Sequence, residues 1–164
     1  MCIRDRHREV VQVGAVRLDA ENDLAEIGRL DVLVAPQRNP VLSDYFVDLT
    51  GITNDRIAAN AIDLADALDR LCRFAAGAPI VSNGSDNQVV VENCALIGIS
   101  NPLSDTLWSD IGPMLRRAFG IEHLHSADIP RLLGQPAPGR GHDALADARA
   151  IAAGLRHLQA RGEA

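Results

Sequence analysis

The sequence predicts one α/β domain built on a mixed sheet, and three observations carry that reading. Two β-branched runs stand close together near the start, joined by a short polar connection, as in a hairpin. Further on, a short apolar run leads into the first of several helical stretches, the pattern of strands followed by helices. The chain has 164 residues, 47% of them hydrophobic, which is enough for one core, and it shows no repeat or low-complexity segment that would divide it.

The net charge of −6 and the scattered basic residues leave no basic stripe. That argues against tight nonspecific nucleic-acid binding, but not against an enzyme that holds nucleic acid through metal ions. Cys2, Cys72 and Cys94 show no paired spacing, which fits a reducing cytoplasm. No run is long and apolar enough for a membrane span or a signal peptide, so a soluble cytoplasmic protein without a membrane partner is expected.

Taken in order, residues 1–8 are a charged leader without periodicity, expected to be unstructured and not native to the domain, which is expected over residues 9–160. Val10, Val11, Val13, Ala15, Val16 and Leu18 make the first strand, ended by the polar Asp19 to Asp23 turn, and residues 29–35 make the second, closed by Pro36. Residues 36–43 are loop. Thr53 is a good N-cap for a short helix. Residues 62–75 form an amphipathic helix with Leu64, Ala67, Leu68, Leu71, Cys72 and Ala75 on one face, ended by Gly77. Residues 79–82 are a short buried central strand that runs into Asn83-Gly84-Ser85-Asp86 and a helix to about Ile97. Residues 107–119 predict a helix broken or started near Pro113, and residues 126–133 another, capped by Ser126.

The last helix, from about Ala144, has Ala144, Ala148, Ile151, Leu155 and Leu158 as its apolar stripe, with Asp147 on the edge. A carboxylate leaning toward a core must be paired, hydrogen-bonded or bound to a metal. In one continuous helix His142 and Asp147 would point about 140° apart. They face one site only if His142 lies in the glycine-rich entry made by Gly139 and Gly141. Asp86 stands where a buried strand ends and a helix begins, the usual place for functional groups in open α/β sheets.

Each of these residues also has a plain structural reading. Asp86 could be a helix cap, His142 a loop residue, and Asp147 the partner of Arg149. His123 and His125 have ligand-like spacing but no accompanying carboxylate or cysteine set, Cys94 reads as a small buried hydrophobe, and residues 50–53 could be only a turn and a cap.

Four segments in order, Glu9 to Val16, Leu49-Thr50-Gly51-Ile52-Thr53, Ser82 to Asp86, and His142-x-Ala-x-x-Asp147, resemble the DnaQ-like DEDDh 3'-to-5' exonucleases. Leu42-Ser43 ahead of the second segment, and Cys94 eight residues after Asp86, look most like the branch that trims RNA 3' ends. The resemblance implies a ribonuclease H-like fold. It also implies phosphodiester hydrolysis at the 3' end of single-stranded nucleic acid, RNA favoured over DNA, with two Mg²⁺ or Mn²⁺ ions held by four carboxylates. Asp86 and Asp147 would be two of the four, and His142 the general base, a role imidazole suits. Leu49, Thr50, Gly51, Ile52 and Thr53 would line the pocket for the terminal nucleotide, with Gly51 allowing close backbone approach and Ile52 packing on a base.

The family's first motif, an Asp-x-Glu strand ahead of the segment matching Glu9 to Val16, has no match. In that place stand Asp5 and, two positions on, His7, without apolar neighbours on a strand. The expectation is a chain truncated at its N-terminus, lacking a central strand and with little or no activity. The alternatives are a noncatalytic nucleic-acid-binding or assembly module, which would have no reason to keep Asp86, His142 and Asp147, and a DNA polymerase proofreading subunit.

Overall fold

The computed structural model describes residues 9–162, so the expectations for residues 1–8 lie outside the described part. Two strands, β1 (Gln12–Asp19) and β2 (Ala25–Leu33), form the expected antiparallel hairpin, with Gln12 opposite Leu33 and a register shift between Arg17 and Leu18. Asp23 and Leu24 complete its turn at positive φ. The second strand starts four residues before its predicted start, because Ala25, Glu26 and Gly28 pair in the ladder despite low β-propensity. The Glu9 carboxylate pins the loop after the hairpin by accepting from the amides of Gln37, Arg38 and Asn39.

Two short helices follow, α1 (Asp44–Thr50) and α2 (Asn54–Asn60). Only α2 was expected, and Thr53 caps it by accepting from the Arg56 amide at 3.2 Å. The unexpected α1 is capped by Ser43 and ends at Gly51 in the left-handed conformation, φ 75°. The amphipathic helix is α3 (Leu64–Ala75), capped by Asp63, with Leu64, Ala67, Leu68 and Leu71 buried as the periodicity requires.

Strand β3 (Ile80–Ser82) leads into α4 (Asp86–Ile97). The next stretch corrects the sequence reading: Trp108–Asp110 is a strand, β4, parallel to β3, and the helix α5 is only Gly112–Phe119, with Pro113 in its first turn. Proline lacks the amide a longer helix would need there. Residues 126–133 split into a 3₁₀ turn (Ser126–Asp128) and α6 (Ile129–Leu132), and Ser126 is not the cap: its hydroxyl accepts from the Asn83 side chain. The last helix is α7 (Ala144–Ala160). Its buried residues are Ala146, Ala150, Ala152, Gly154 and Leu158; of the expected stripe Leu158 is buried, while Ile151 and Leu155 pack beside it, partly buried.

Among the described residues the strands form two two-stranded sheets, one antiparallel and one parallel. Three clusters fill the space around them. Val32, Val34, Leu68, Val90 and Leu103 join the hairpin to α3 and α4; Val11, Leu33, Leu42, Ile52 and Ile57 seat α1 and α2; Ile111, Leu115, Ile129, Ala150 and Leu158 join α5, α6 and α7. Cys94 is buried in the first of these, as expected, and burial raises its thiol pKa. Among the described residues no helix is long and apolar enough to cross a membrane.

Arg149 ties α7 to β2 through a two-pronged pair with Glu26, at 3.0 and 2.8 Å. It is not the partner of Asp147. The hydrogen bond from Arg149 is the main cause that holds the Glu26 carboxyl below its ordinary pKa. A lowered folded-state value means the pair stabilises the fold above the ordinary carboxylate range, and that this contribution is lost as pH falls through the lowered value. Arg149→Ala should therefore cost roughly 0.5–1 kcal/mol at neutral pH, with urea curves of parent and variant converging as acid protonates Glu26. A gap that persists at low pH would assign the cost to lost packing of the arginine stem.

Candidate active site

The start of α7 is fixed by groups far away in sequence. Asp143 caps the helix by accepting from the Ala146 amide at 2.9 Å. Gln12, on β1, donates to the other Asp143 oxygen at 3.1 Å and accepts from the Ala144 amide at 3.0 Å. Gly14 lets the strand touch the helix directly, for a Cβ there would lie 2.2 Å from the Ala144 carbonyl carbon.

This docking presents His142 and Asp147 together. His142 lies outside the helix, exposed, and takes the left-handed turn itself, at φ 63°, rather than leaving it to Gly139 or Gly141, neither of which has a positive φ. Asp147 is half-buried, and desolvation raises its pKa, with the Asp143 and Asp86 charges adding to the rise. The charge of His142 and a hydrogen bond from the His142 backbone oppose it. The histidine thus reaches Asp147 from the loop side, the arrangement that a continuous helix forbids.

Asp86 comes from the other sheet. It is the first residue of α4 rather than its cap, directly after the β3 exit turn. It is exposed, though the protein beside its carboxyl still desolvates it enough to raise its pKa, with the Asp110 charge as the second cause. Asp147 therefore feels the charges of both His142 and Asp86.

Residues 49–53 run from the last turn of α1 through Gly51 to the cap of α2. Thr50 is buried, its hydroxyl donating to the Phe46 carbonyl and accepting from the Ile52 amide. Ile52 is 2% exposed and belongs to the core, so its side chain anchors the turn and does not point out toward a base. Leu49 is partly buried, and Thr53 is the exposed cap of α2. The close approach at Gly51 is made by Arg140, whose guanidinium lies against it and donates to the Asp48 carbonyl. Arg140 thus connects this turn to the loop that carries His142.

Gln12, Gly14, Asp110 and Arg140 carry no sequence signal as site-shaping residues, because each acts through a partner distant in the chain. Among the described residues no three His, Cys, Asp or Glu side chains converge on a metal position, and His123 and His125 join no such cluster. Asp86 and Asp147 nonetheless fit a hard divalent cation in donor chemistry: two desolvated carboxylates repel one another, and an oxygen-seeking cation relieves both.

The fold has clear counterparts. A full-length 3'-exonuclease superposes with TM-score 0.81 and 21% identity over 94% of this chain and 54% of its own; this chain spans about half its length. The nuclease domain of 3'hExo, a DEDDh family member, bound to rAMP, gives 0.74 and 17% over 95% of both chains. E. coli Exonuclease I in complex with a dA16 oligonucleotide gives 0.68 and 19% over 92% of this chain and 36% of its own. These likenesses establish the ribonuclease H-like α/β fold. A search of curated protein sequences found no match. Residues 2–155, nearly the whole sequence, match the RNase_T family model described as Exonuclease, and the chain belongs to that exonuclease family.

Proposed function

We propose that this domain is a 3'-to-5' exonuclease that removes nucleoside monophosphates from the 3' end of single-stranded nucleic acid, RNA in preference to DNA. The observation that supports the reading is the desolvated Asp147 carboxyl, which feels the charges of both His142 and Asp86, in a member of the exonuclease family. RNA is favoured by the Leu42-Ser43 and Cys94 details.

Asp86 and Asp147 would hold a Mg²⁺ or Mn²⁺ ion, two ions in the complete family site, which when bound supply charge neutralisation at the phosphate and at the leaving oxygen. The His142 imidazole takes the proton of a water that attacks the terminal phosphorus. The bond to the 3' oxygen of the preceding nucleotide breaks, leaving that nucleotide with a free 3'-hydroxyl and releasing a 5'-monophosphate. Residues 49–53 form the wall for the terminal nucleotide, with Leu49 and the Gly51 backbone at its surface and Ile52 as its anchor.

The family chemistry uses four carboxylates, and residues 1–8 offer only Asp5, with His7 where the motif has glutamate. We therefore propose that this chain cuts slowly or not at all. The test compares it with a version in which residues 1–8 are replaced by an apolar strand bearing Asp-x-Glu, on 3'-end-labelled single-stranded RNA and DNA in Mn²⁺ or Mg²⁺. The expected result is release of labelled monophosphate by the second chain only, faster on RNA, and reduced at least about 100-fold by Asp147→Ala. Internal cuts, or no release by either chain, would overturn the exonuclease reading. Full-rate release by the present chain would overturn the proposal of inactivity.

A further inference from the structure

Asp86 can serve the site only if the turn ahead of it is held, and α4 contributes little to that. Ser85, at the N-cap position, makes no side-chain cap hydrogen bond. Gly84 has φ 119°, a conformation open to glycine and strained for other residues.

The turn is held from the neighbouring strand instead. Asp110, the last residue of β4 and the register partner of Ser82, accepts from the Gly84 amide on Oδ1 at 2.9 Å. The same oxygen accepts from the Gly112 amide at 2.8 Å, which fixes the carboxylate to its own turn. The Ser82 hydroxyl donates to the Gly84 carbonyl at 3.1 Å, and the Asn83 side chain donates to the Ser126 hydroxyl at 3.1 Å. Gly112 lets the two strand exits meet, since a Cβ there would lie 2.6 Å from Asn83 Oδ1 and 2.9 Å from Asp110 Oδ1.

We propose that Asp110 is a positioning residue for Asp86: its Oδ1 clamps the β3–α4 turn to the end of β4 and so sets where the Asp86 carboxylate stands relative to Asp147. The inference rests on the proposed role of Asp86 in holding a cation. Asp110 does not join the ligands in this reading. Its Oδ1 is engaged by two amides, and the described residues form no cluster of three around it. Groups that orient a metal ligand through hydrogen bonds commonly change affinity about 10–100-fold when altered.

Geometry and charge are separable by substitution. Asp110→Asn keeps an oxygen in place and removes the charge, whereas Asp110→Glu keeps the charge and displaces the oxygen. The measurement is Mn²⁺ affinity of the chain by water-proton relaxation, with circular dichroism confirming that each variant is folded. Asp110→Asn should bind within about twofold of the parent, and Asp110→Glu should bind about 10-fold more weakly. Asp110→Ala, which loses both features, should match Asp110→Glu if it folds; the Asn and Glu variants decide the matter if it does not. Equal binding by parent and Asp110→Glu, or equal weakening by Asn and Glu, would overturn the positioning role. Asp86→Asn separates the two levels. If the parent binds no Mn²⁺, or Asp86→Asn binds as the parent does, the site reading falls and takes this inference with it. If Asp86→Asn weakens binding and Asp110→Glu does not, this inference alone falls.

Discussion

Gly14→Ala should destabilise the domain by about 3 kcal/mol or more, at the upper end of the range for overpacking. The added methyl would meet backbone: 2.2 Å to the Ala144 carbonyl carbon, 2.3 Å to the Leu145 nitrogen and 2.5 Å to the Ala144 oxygen. No rotamer change relieves that contact. Either β1 or the first turn of α7 must move, and the hydrogen bonds from Gln12 to Asp143 and Ala144 hold the two together. The loss has a local consequence as well, because Asp147 lies one turn into the helix that is displaced. Gly28→Ala is the control: its Cβ would come no closer than 3.4 Å to the Phe74 ring and 3.7 Å to the Arg17 Cβ, so its cost should stay within about 0.5 kcal/mol. Urea denaturation of both variants decides the point. A Gly14→Ala midpoint close to that of the parent would mean that the helix and strand are not in the contact described.

Asp147→Asn should have the opposite effect on stability when divalent cations are removed. The Asp147 carboxyl has a raised pKa, chiefly from desolvation, so the folded state binds its proton more readily than the unfolded state does. The sign follows: ionised Asp147 weakens the fold at neutral pH, and the parent gains stability as pH falls toward the raised value. The Asn variant keeps an oxygen for the His142 backbone bond and never carries the charge. It should melt a few °C or so higher than the parent in EDTA at neutral pH, the scale seen when a functional charge is removed from a fold. The difference should shrink as pH falls. Asp86, raised by desolvation and by Asp110, should respond to Asp86→Asn in the same direction. Added Mn²⁺ should raise the melting temperature of the parent and leave both variants where they are. A lower melting temperature for Asp147→Asn in EDTA would show that its carboxylate is a structural partner.

These two predictions depend on residues that differ in how openly the sequence announces them. Asp147 and His142 are legible because a carboxylate at the edge of an apolar stripe and a histidine among glycines are local patterns. The hairpin, α3 and the cap at Thr53 are legible for the same reason: period and capping are set by residues within a turn or two of one another. Strand β4 is not, since three residues, Trp108–Asp110, carry no period, and the helical stretch after them absorbs them. Helix α7 was placed correctly but its buried face was misjudged, because Ala146, Ala150 and Gly154 permit close packing through their small size, which a search for large apolar side chains passes over. Packing of Ile52 on a base came from the family resemblance, and no local sign in the sequence shows that the hairpin and α2 enclose it. Gly14, Gln12 and Asp110 lie beyond such reading, since the contacts through which they shape the site, to Ala144 and to Gly84, cross 26 to 132 positions.

The Gln12 clasp on α7 also dictates when the site can assemble. Its bond to Ala144 spans 132 residues, so β1 leaves the ribosome long before the helix that covers it exists. At ordinary synthesis rates that interval is about 7–26 s. During it the hairpin can form, but His142 and Asp147 are absent and one face of β1 is bare. The domain must complete its fold after most of the chain has been made, and a nascent chain halted before Ala144 exposes a strand face suited to aggregation or to a chaperone.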